Sequence, residues 1–180
     1  MRVCIREITQ ENVKDIPEPC RTCLYWENPT FIGEKLSQTE KARCETEKAA
    51  WFIKILKMFG NCGKIIYVDN KPVGYAQYST ANRLPNTQEY GAKKLETTED
   101  VVFISCLYIS NESSRGKGLG ERLLDEVVKG LKRRGFKAVE TFARKGSANN
   151  PSGPVELYLK KGFKVVEEIA PDFALIRLKL

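Results

Sequence analysis

The chain has 180 residues, 42% of them hydrophobic and 29% charged, and its 30 basic and 23 acidic residues give a formal net charge of +7 at pH 7. This length and composition fit one globular domain over residues 1–180. No apolar run approaches the roughly 20 residues that span a membrane, and the charged N-terminus lacks the apolar stretch of a signal peptide, so we expect a cytoplasmic protein.

Strands and helices are predicted to alternate along most of the chain, because apolar residues recur with the period of one or the other. The predicted elements, in chain order, are a strand (3–8), a helix (9–16), an irregular segment (17–36), a helix (37–58), two strands (64–69 and 73–79), a long polar connection (81–100), a strand (101–109), a helix from 119 capped at 135, a strand (136–142), a helix (151–161) and two strands (162–167 and 173–180). This order predicts a mixed, partly antiparallel sheet with helices on both faces.

Several ends of these elements have recognisable signals. Ser37 and Glu40 have the spacing of a capping box at the start of a helix, and Gly60 is expected to end that helix. Pro17 stops the helix at 9–16. Ser152 is a plausible N-cap for the last helix.

The positive charge suits either nucleic acid or a ligand that has several phosphates. Four basic residues lie near the end of the predicted helix at 119, where they complement the helix dipole and remain solvated. No basic segment is interleaved with aromatic residues, as in single-strand binding surfaces. We therefore expect neither a nucleic acid nor a membrane as a partner.

Six cysteines and no histidine are present. Cys20 and Cys23 have the spacing of a zinc or redox pair, but a closed zinc site would have to recruit Cys44 and Cys62. A cytosolic chain of this size needs no disulfides, so free thiols are the favoured interpretation. A metal site and a redox pair stay open as alternatives.

A glycine-rich turn between a strand and a helix is the most informative motif. Glycine tolerates positive φ, which lets the backbone curl, and the following helix directs unpaired N–H groups and the positive end of its dipole at the same point. Such a turn is suited to bind a phosphate. Its residues are Arg115, Gly116, Lys117, Gly118, Leu119 and Gly120.

Two other phosphate-binding motifs do not fit this turn. A P-loop needs a glycine at Asn111 and a serine or threonine at Gly118. A dinucleotide-binding turn needs a third glycine at Glu121.

The pattern Arg115-x-x-Gly118-x-Gly120 resembles the pyrophosphate-binding loop of the GNAT superfamily of acetyl-coenzyme A-dependent N-acyltransferases. About 40 residues later, Leu157, Tyr158, Gly162 and Phe163 match the Leu-Tyr-x-x-x-Gly-Phe pattern of the same family. The hairpin at 69–76 is also similar to its second and third strands. The resemblance covers nearly the whole chain and implies an α/β (α+β) fold, with a mostly antiparallel twisted sheet of six to seven strands and helices on both faces.

The resemblance implies roles for particular residues. The backbone at the end of the fourth strand would hold the pantetheine arm and polarise the thioester, the glycine turn would hold the pyrophosphate, and Tyr158 would protonate the departing sulfur. The residues implied to bind the cofactor, acetyl-CoA, are Leu107, Tyr108, Ile109, Arg115, Gly116, Lys117, Gly118, Leu119, Gly120, Asn150 and Tyr158.

Two positions depart from the family pattern. Pro151 stands where an asparagine commonly contacts the cofactor, so Asn150 serves only with a shift of one residue. Cys106 stands where many members have a glutamate base. The base therefore stays open between Cys106, Glu112 and a water chain, and Cys106 is a candidate catalytic residue together with Tyr158.

The leading hypothesis is an N-acetyltransferase that moves an acetyl group from acetyl-CoA to a primary amine of a small molecule or peptide, by direct attack in a ternary complex. The acceptor would lie along residues 17–36 and 167–172, where Tyr25, Trp26 and three acids (Glu167, Glu168 and Asp172) suit a cationic or amphipathic amine, unless the acids only keep a turn soluble. The family implies a monomer or homodimer. A catalytically silent coenzyme A-binding module and a zinc-dependent interaction protein built on Cys20 and Cys23 are the alternatives.

Overall fold

A computed structural model describes residues 2–33, 35–110, 112–146 and 152–180 of the protein. Its strands are β1 (Val3–Glu7), β2 (Gly63–Val68), β3 (Lys71–Ser79), β4 (Val101–Ile109), β5 (Ala138–Arg144), β6 (Lys164–Ile169) and β7 (Phe173–Lys179). Its α-helices are α1 (Gln38–Phe59), α2 (Leu119–Arg133) and α3 (Val155–Lys160). Short 3-10 helices lie at Val13–Asp15, Cys20–Thr22, Ala81–Arg83, Pro85–Tyr90 and Glu112–Ser114.

The seven strands form one sheet in the order β1-β2-β3-β4-β5-β7-β6. All neighbouring pairs are antiparallel except β4 and β5, which are parallel. The predicted mixed, mostly antiparallel sheet is therefore confirmed. The parallel pair needs a crossover connection, and α2 supplies it.

Helices cover both faces of the sheet, as the sequence predicts. On one face α2 and α3 bury side chains such as Leu123, Val127 and Tyr158 against the sheet. On the other face α1 contributes Phe52 and Ile55, which pack with residues from the N-terminal segment. Burying an apolar side chain of this size stabilises the fold by about 1.5–3 kcal/mol relative to exposure.

The signals at the ends of α1 are confirmed. Ser37 accepts a hydrogen bond from the backbone N–H of Glu40, and the Glu40 carboxylate accepts one from the backbone N–H of Ser37 at 2.8 Å. Gly60 ends the helix with a φ of +84°. Of the residues described, none lies in a helix long and apolar enough to cross a membrane.

The predicted helix at 9–16 is wrong, since only one 3-10 turn, Val13–Asp15, forms there. The side chain of Asn12 is the physical reason. It accepts the backbone N–H of Thr9 at 2.8 Å and donates to the carbonyl of Glu7 at 2.9 Å. These bonds hold the chain in a turn after β1, in which Asn12 has a φ of −108° and a ψ of 3° rather than helical angles.

The last helix begins later than predicted, and Pro154 rather than Ser152 stands at its N-cap. The hydroxyl of Ser152 donates to the carbonyl of Phe142 instead. Ser152 therefore ties the chain before α3 to strand β5. The strand predicted at 136–142 is displaced to Ala138–Arg144, because Gly135 has a φ of +80° and the chain turns there before it enters the sheet.

Candidate functional site

The central strands β4 and β5 separate part of the way along their length. Their ladder joins only Val101 to Phe103 with Ala138 to Glu140. On its other side β4 pairs with β3 through a bulge, because Gln77 lies opposite Cys106 whereas Tyr78 lies opposite Ile104. A bulge bends a strand and increases its local twist. The second half of β4 therefore has no strand on its β5 side among the described residues, which opens a gap at this end of the sheet.

The glycine turn follows β4 and leads into α2. Gly116 and Gly118 both have a φ of +73°, and no atom lies within 4 Å of a Cβ placed at either position. Space is therefore available for a side chain, and the positive φ is the reason that glycine suits both positions. Gly118 is the N-cap of α2, so the first N–H groups of this 15-residue helix point toward the turn.

Arg115 holds the turn against the end of β4. Its Nε donates to the carbonyl of Ile109 at 3.0 Å, and its guanidinium lies 5.6 Å from the ring centre of Tyr108. One of its terminal nitrogens is 3.4 Å from the Tyr108 hydroxyl. The side chain is exposed, so its positive charge lies at the mouth of the turn.

These elements enclose a cleft of about 380 Å³, which we call the β4–α2 cleft. The end of β4, the glycine turn, the start of α2 and the start of α3 all contribute to it. It is lined by Leu107, Tyr108, Ile109, Ser114, Arg115, Gly116, Gly118, Leu119, Gly120, Glu121, Gly153, Pro154 and Leu157. Eight of the residues implied to bind the cofactor thus line one cleft, and Lys117 is exposed in the same turn without lining it.

Glu121 is an acid at a cleft that otherwise suits an anion. Lys161 and Lys160 bind its carboxylate, at 2.9 and 3.3 Å, and lower its pKa below the usual range. Two cations from the end of α3 and the residue after it therefore offset this one negative charge.

Tyr158 lies beneath the cleft rather than in its wall. The side chain is fully buried, its ring packs edge-on against Phe163 at 5.1 Å, and its hydroxyl donates to the carbonyl of Ser152. A Cβ added at Gly153, which lines the cleft, would be 3.7 Å from that hydroxyl. Burial raises the pKa of Tyr158 well above its usual value. The role of Tyr158 as a proton donor stays a prediction, since its buried hydroxyl does not line the cleft.

Cys106 lies on the other face of β4, beside a second cavity. Burial raises the pKa of its thiol to about 12, while Lys48 and a hydrogen bond with Tyr75 act in the opposite direction. The thiol is thus protonated near neutral pH. Its role as a base stays a prediction that this pKa disfavours.

The second cavity has a volume of about 410 Å³, and we call it the aromatic cavity. It lies between β3, β4, the N-terminal segment and the start of β7. Its lining is Pro19, Cys20, Cys23, Tyr25, Trp26, Phe31, Gly33, Tyr75, Tyr90, Cys106, Tyr108, Arg144 and Phe173. Tyr108 lines both this cavity and the β4–α2 cleft, so the two spaces meet at the end of β4.

A chain of buried polar groups runs from the aromatic cavity into the core. The Tyr75 hydroxyl donates to Oε1 of Gln77 at 3.1 Å, and Nε2 of Gln77 donates to Oε1 of Glu27 at 2.6 Å. Lys48 donates to the same carboxylate oxygen. Sequence reasoning did not identify Glu27, Lys48, Gln77 or Tyr75, because these positions follow no motif and meet only when α1 packs on the sheet.

The three acids predicted near the acceptor are already engaged. Glu167 accepts the backbone N–H groups of Lys93 and Lys94 at 3.1 and 2.8 Å, which lowers its pKa. Glu168 pairs with Lys145, and Asp172 accepts from Nε of Arg144 at 2.6 Å. These contacts favour the alternative in which the acids stabilise the turns around the sheet.

The remaining predicted positions are resolved as follows. Asn150 lies outside the described residues. Glu112 is exposed at the start of a short 3-10 helix. The cysteines at 4, 20, 23, 44, 62 and 106 are free thiols, and the described part of the chain contains no group of three or more potential metal ligands.

Comparison with known proteins agrees with this fold. The sequence profile of the acetyltransferase (GNAT) family matches residues 18–163. The chain therefore belongs to the GNAT acetyltransferase family, and the resemblance identified from its sequence motifs is confirmed. No curated protein matches the chain by sequence at a significant level.

Solved structures of the same fold cover nearly the whole chain. The PaiA N-acetyltransferase of Thermoplasma acidophilum, in complex with coenzyme A, is 16% identical, with all of both chains covered and a TM-score of 0.65. An N-acetyltransferase from Staphylococcus aureus Mu50 is 17% identical, with 99% of each chain covered and a TM-score of 0.64. YncA from Salmonella typhimurium, solved with its cofactor acetyl-CoA, is 16% identical, with 99% of this chain and 94% of its own covered and a TM-score of 0.66.

Proposed function

We propose that this protein is an N-acetyltransferase that uses acetyl-CoA and acetylates a primary amine of a small molecule or peptide. The observation that carries the proposal is the β4–α2 cleft, in which the end of β4, which no described strand pairs on its β5 side, meets a glycine turn at the N-terminus of α2. A thioester on a long diphosphate-bearing arm requires both features. The end of β4 would bind the arm, and the glycine turn would bind the diphosphate.

The residues of the glycine turn fit a pyrophosphate. Gly116 and Gly118 hold a positive φ with open space above them, so backbone N–H groups can approach an anion without obstruction by a side chain. Arg115 and Lys117 add two exposed positive charges at the same place. In this proposal residues 115–120 hold the diphosphate of the coenzyme.

The end of β4 fits the arm that follows the diphosphate. Leu107, Tyr108 and Ile109 line the cleft on the side where β5 has separated from β4. Their backbone groups can pair with an extended amide chain as a neighbouring strand would. A backbone N–H at this point polarises the acetyl carbonyl and stabilises the negative charge that develops on its oxygen.

The acceptor amine has to be neutral when it attacks. A typical primary ammonium group, with a pKa of ~10.4, is less than about 0.1% neutral at pH 7. Direct attack forms the N–C bond and breaks the C–S bond, and the proton lost by the amine balances the thiolate that leaves. Tyr158 is the candidate donor of that proton, provided that its hydroxyl exchanges the carbonyl of Ser152 for the sulfur.

The experiment that tests this function is release of coenzyme A thiol from acetyl-CoA in the presence of a panel of amines. We expect acetyl-CoA to raise the melting temperature, and at least one amine to accelerate thiol release. Tyr158→Phe should lower kcat far more than it weakens acetyl-CoA binding. Because Cys106 replaces the glutamate of many relatives, a silent coenzyme A-binding module is the second candidate. Stabilisation by acetyl-CoA without turnover of any amine would favour that candidate.

The proposal has three further parts. Residues 1–180 form one domain, the protein acts in the cytoplasm as a monomer or homodimer, and its partners are small molecules or peptides rather than nucleic acids or membranes. Sedimentation of the purified protein, with and without acetyl-CoA, tests the oligomeric state.

A further inference from the structure

We propose that the acceptor is a primary amine on a flat aromatic body, which the aromatic cavity binds with its amine directed at the end of β4. The inference rests on the proposed function, because it assigns the second substrate of the same reaction. It is carried by three features of the cavity: its position, the rigidity of its walls and the charge of its lining.

The position of the cavity suits the second substrate. Tyr108 forms part of the wall of the aromatic cavity and of the β4–α2 cleft. Cys106 lies two residues earlier on β4 and lines the cavity, whereas Leu107 and Ile109 line only the cleft. Alternate side chains of a strand point to opposite faces. The two spaces therefore approach one another across the end of β4, where an amine from one can reach a thioester from the other.

The walls are aromatic rings that hold one another in place. Trp26 stacks on Tyr90 with ring centres 5.7 Å apart and an interplanar angle of 12°, and Tyr90 stacks on Phe142 at 4.2 Å and 14°. Phe173 meets the edge of Tyr90 at 5.3 Å, and Tyr25 meets Trp26 at 5.1 Å. Rings fixed in this way form a rigid apolar wall, against which the ring of a substrate can pack.

The lining offers no anion to an acceptor that carries extra positive charge. Among the described residues that line the cavity, Arg144 alone has a formal charge, and its guanidinium binds Asp172. The other titratable groups of the lining are the thiols and phenols of Cys20, Cys23, Cys106, Tyr25, Tyr75, Tyr90 and Tyr108. Burial raises the pKa of Tyr75 and Tyr90 well above the usual value, so both stay neutral.

Charged groups behind the wall do not change this balance. Lys48 and Glu27 neutralise each other, and Glu167 and Glu168 are bound by other groups. A diamine or polyamine would have to leave its second ammonium group in an apolar space, where the one charged side chain of the described lining, Arg144, is already paired with Asp172. An aromatic monoamine avoids that cost.

The same environment assists the reaction. An ammonium group that enters an apolar cavity has its pKa lowered, because burial disfavours the protonated form. The neutral amine then attacks the acetyl carbon, the N–C bond forms, the C–S bond breaks, and one proton passes from nitrogen to the departing thiolate. Cys106 stands where many family members have a glutamate base. The lowered pKa of the amine takes over part of the role of that base.

Acceptor preference is measured by thiol release from acetyl-CoA with 2-phenylethylamine and tryptamine, compared with 1,4-diaminobutane, spermidine and a lysine-containing peptide. We expect kcat/KM to be at least about tenfold higher for the aromatic amines, which corresponds to about 1.4 kcal/mol. Equal or faster turnover of a polyamine or the peptide overturns the inference while leaving the proposed function intact. Failure of acetyl-CoA to stabilise the protein overturns the proposed function itself.

A binding measurement that does not depend on turnover uses the two tryptophans of the chain. Trp51→Phe leaves Trp26 in the cavity wall as the single tryptophan, and Trp26→Phe leaves Trp51, which packs on Phe52 of α1. Titration with 2-phenylethylamine should change the emission of the Trp51→Phe protein and not that of the Trp26→Phe protein. No change in the Trp51→Phe protein, or the same change in both, contradicts binding in the aromatic cavity.

The variant Tyr25→Leu tests whether the wall of the aromatic cavity binds the acceptor, because it removes one aromatic ring from that wall. Tyr25 is 39% exposed, so its replacement is compatible with folding, and a melting curve with acetyl-CoA verifies that the cofactor site is intact. We expect KM for 2-phenylethylamine to rise several-fold. An unchanged KM for the aromatic amine overturns the role of this wall.

Discussion

Lys48 of α1 donates a hydrogen bond to Glu27 over 2.6 Å, and the two side chains are only 2% and 6% exposed. Burial alone would lower the pKa of Lys48, but the attraction of the Glu27 carboxylate outweighs it, so the pKa lies above its ordinary value. Lys48 therefore keeps its positive charge although it is buried. The pair joins the N-terminal segment to α1, directly behind the wall of the aromatic cavity.

Lys48→Met should destabilise the protein by about 3–5 kcal/mol, because it leaves the Glu27 carboxylate buried with Gln77 as its remaining hydrogen-bond donor. Urea unfolding followed by circular dichroism measures the change. Lys54→Met, an exposed position on the same helix, is the control and should have little effect. The double variant Lys48→Met, Glu27→Leu should recover much of the loss. A double variant as unstable as the single one would show that the uncompensated charge is not the cause.

Gly118→Ala should weaken acetyl-CoA binding at least about tenfold. Its φ of +73° is strained for alanine, at a cost of roughly 1–2 kcal/mol, and relief of that strain turns the backbone N–H groups away from the ligand. Gly135→Ala is a matched control, since Gly135 has a φ of +80°, has equally open surroundings and lies at the opposite end of α2. Both variants should lose similar stability, and calorimetric titration should detect weaker binding in the first alone. Equal affinities in the two variants would contradict a phosphate site at the turn.

Cys106→Ala should retain most of the turnover. Because burial raises the thiol pKa to about 12, the thiolate required for an acyl-cysteine intermediate is scarce at pH 7. Pre-steady-state thiol release should show no burst in the wild type, and mass spectrometry should detect no acetyl group on Cys106. Loss of turnover in Cys106→Ala but not in Cys106→Ser, with a trapped acetyl group in the wild type, would establish covalent catalysis instead.

Glu167→Gln should make the free energy of unfolding less dependent on pH in the acid range. The two backbone N–H groups of Lys93 and Lys94 hold the pKa of Glu167 below its ordinary value of 4.5. Because the pKa of Glu167 is lower in the folded protein, the unfolded chain binds the proton more readily. The contribution of Glu167 to the free energy of unfolding is therefore complete above pH 4.5, and it is lost as the pH falls through the pKa of the folded state. Unfolding in urea between pH 6 and pH 3 measures this slope. The exposed Glu11→Gln is the control, and an identical slope in wild type and Glu167→Gln would exclude the effect.

Much of the β4–α2 cleft could be predicted from the sequence, because its parts are local. The turn from Arg115 to Gly120 requires glycines with positive φ within a few residues of one another, and the helix that follows begins at Leu119 as its periodicity indicates. The match at Leu157, Tyr158, Gly162 and Phe163 then fixed the family. The conformation of such a turn can be predicted from the sequence, because it depends on residues that are adjacent in the chain.

Other predictions failed because nearby side chains compete for the same backbone groups. Asn12 binds the backbone of Thr9 and Glu7 and prevents the helix predicted at 9–16. Ser152 binds the carbonyl of Phe142 rather than the start of α3. Such competition depends on which strand or turn lies beside the side chain, which periodicity does not reveal.

The sequence by itself determined the family, the element order near the glycine turn and most residues of the β4–α2 cleft, since each depends on contacts within a few positions. Only the tertiary structure decided that Tyr75, Tyr90, Arg144 and Phe173 form one cavity with Trp26, and that Glu27 meets Lys48 behind it. These residues come from distant segments, and their proximity follows from strand register and the packing of α1. The substrate preference that we propose depends on those long-range contacts, because side chains of several elements line the aromatic cavity.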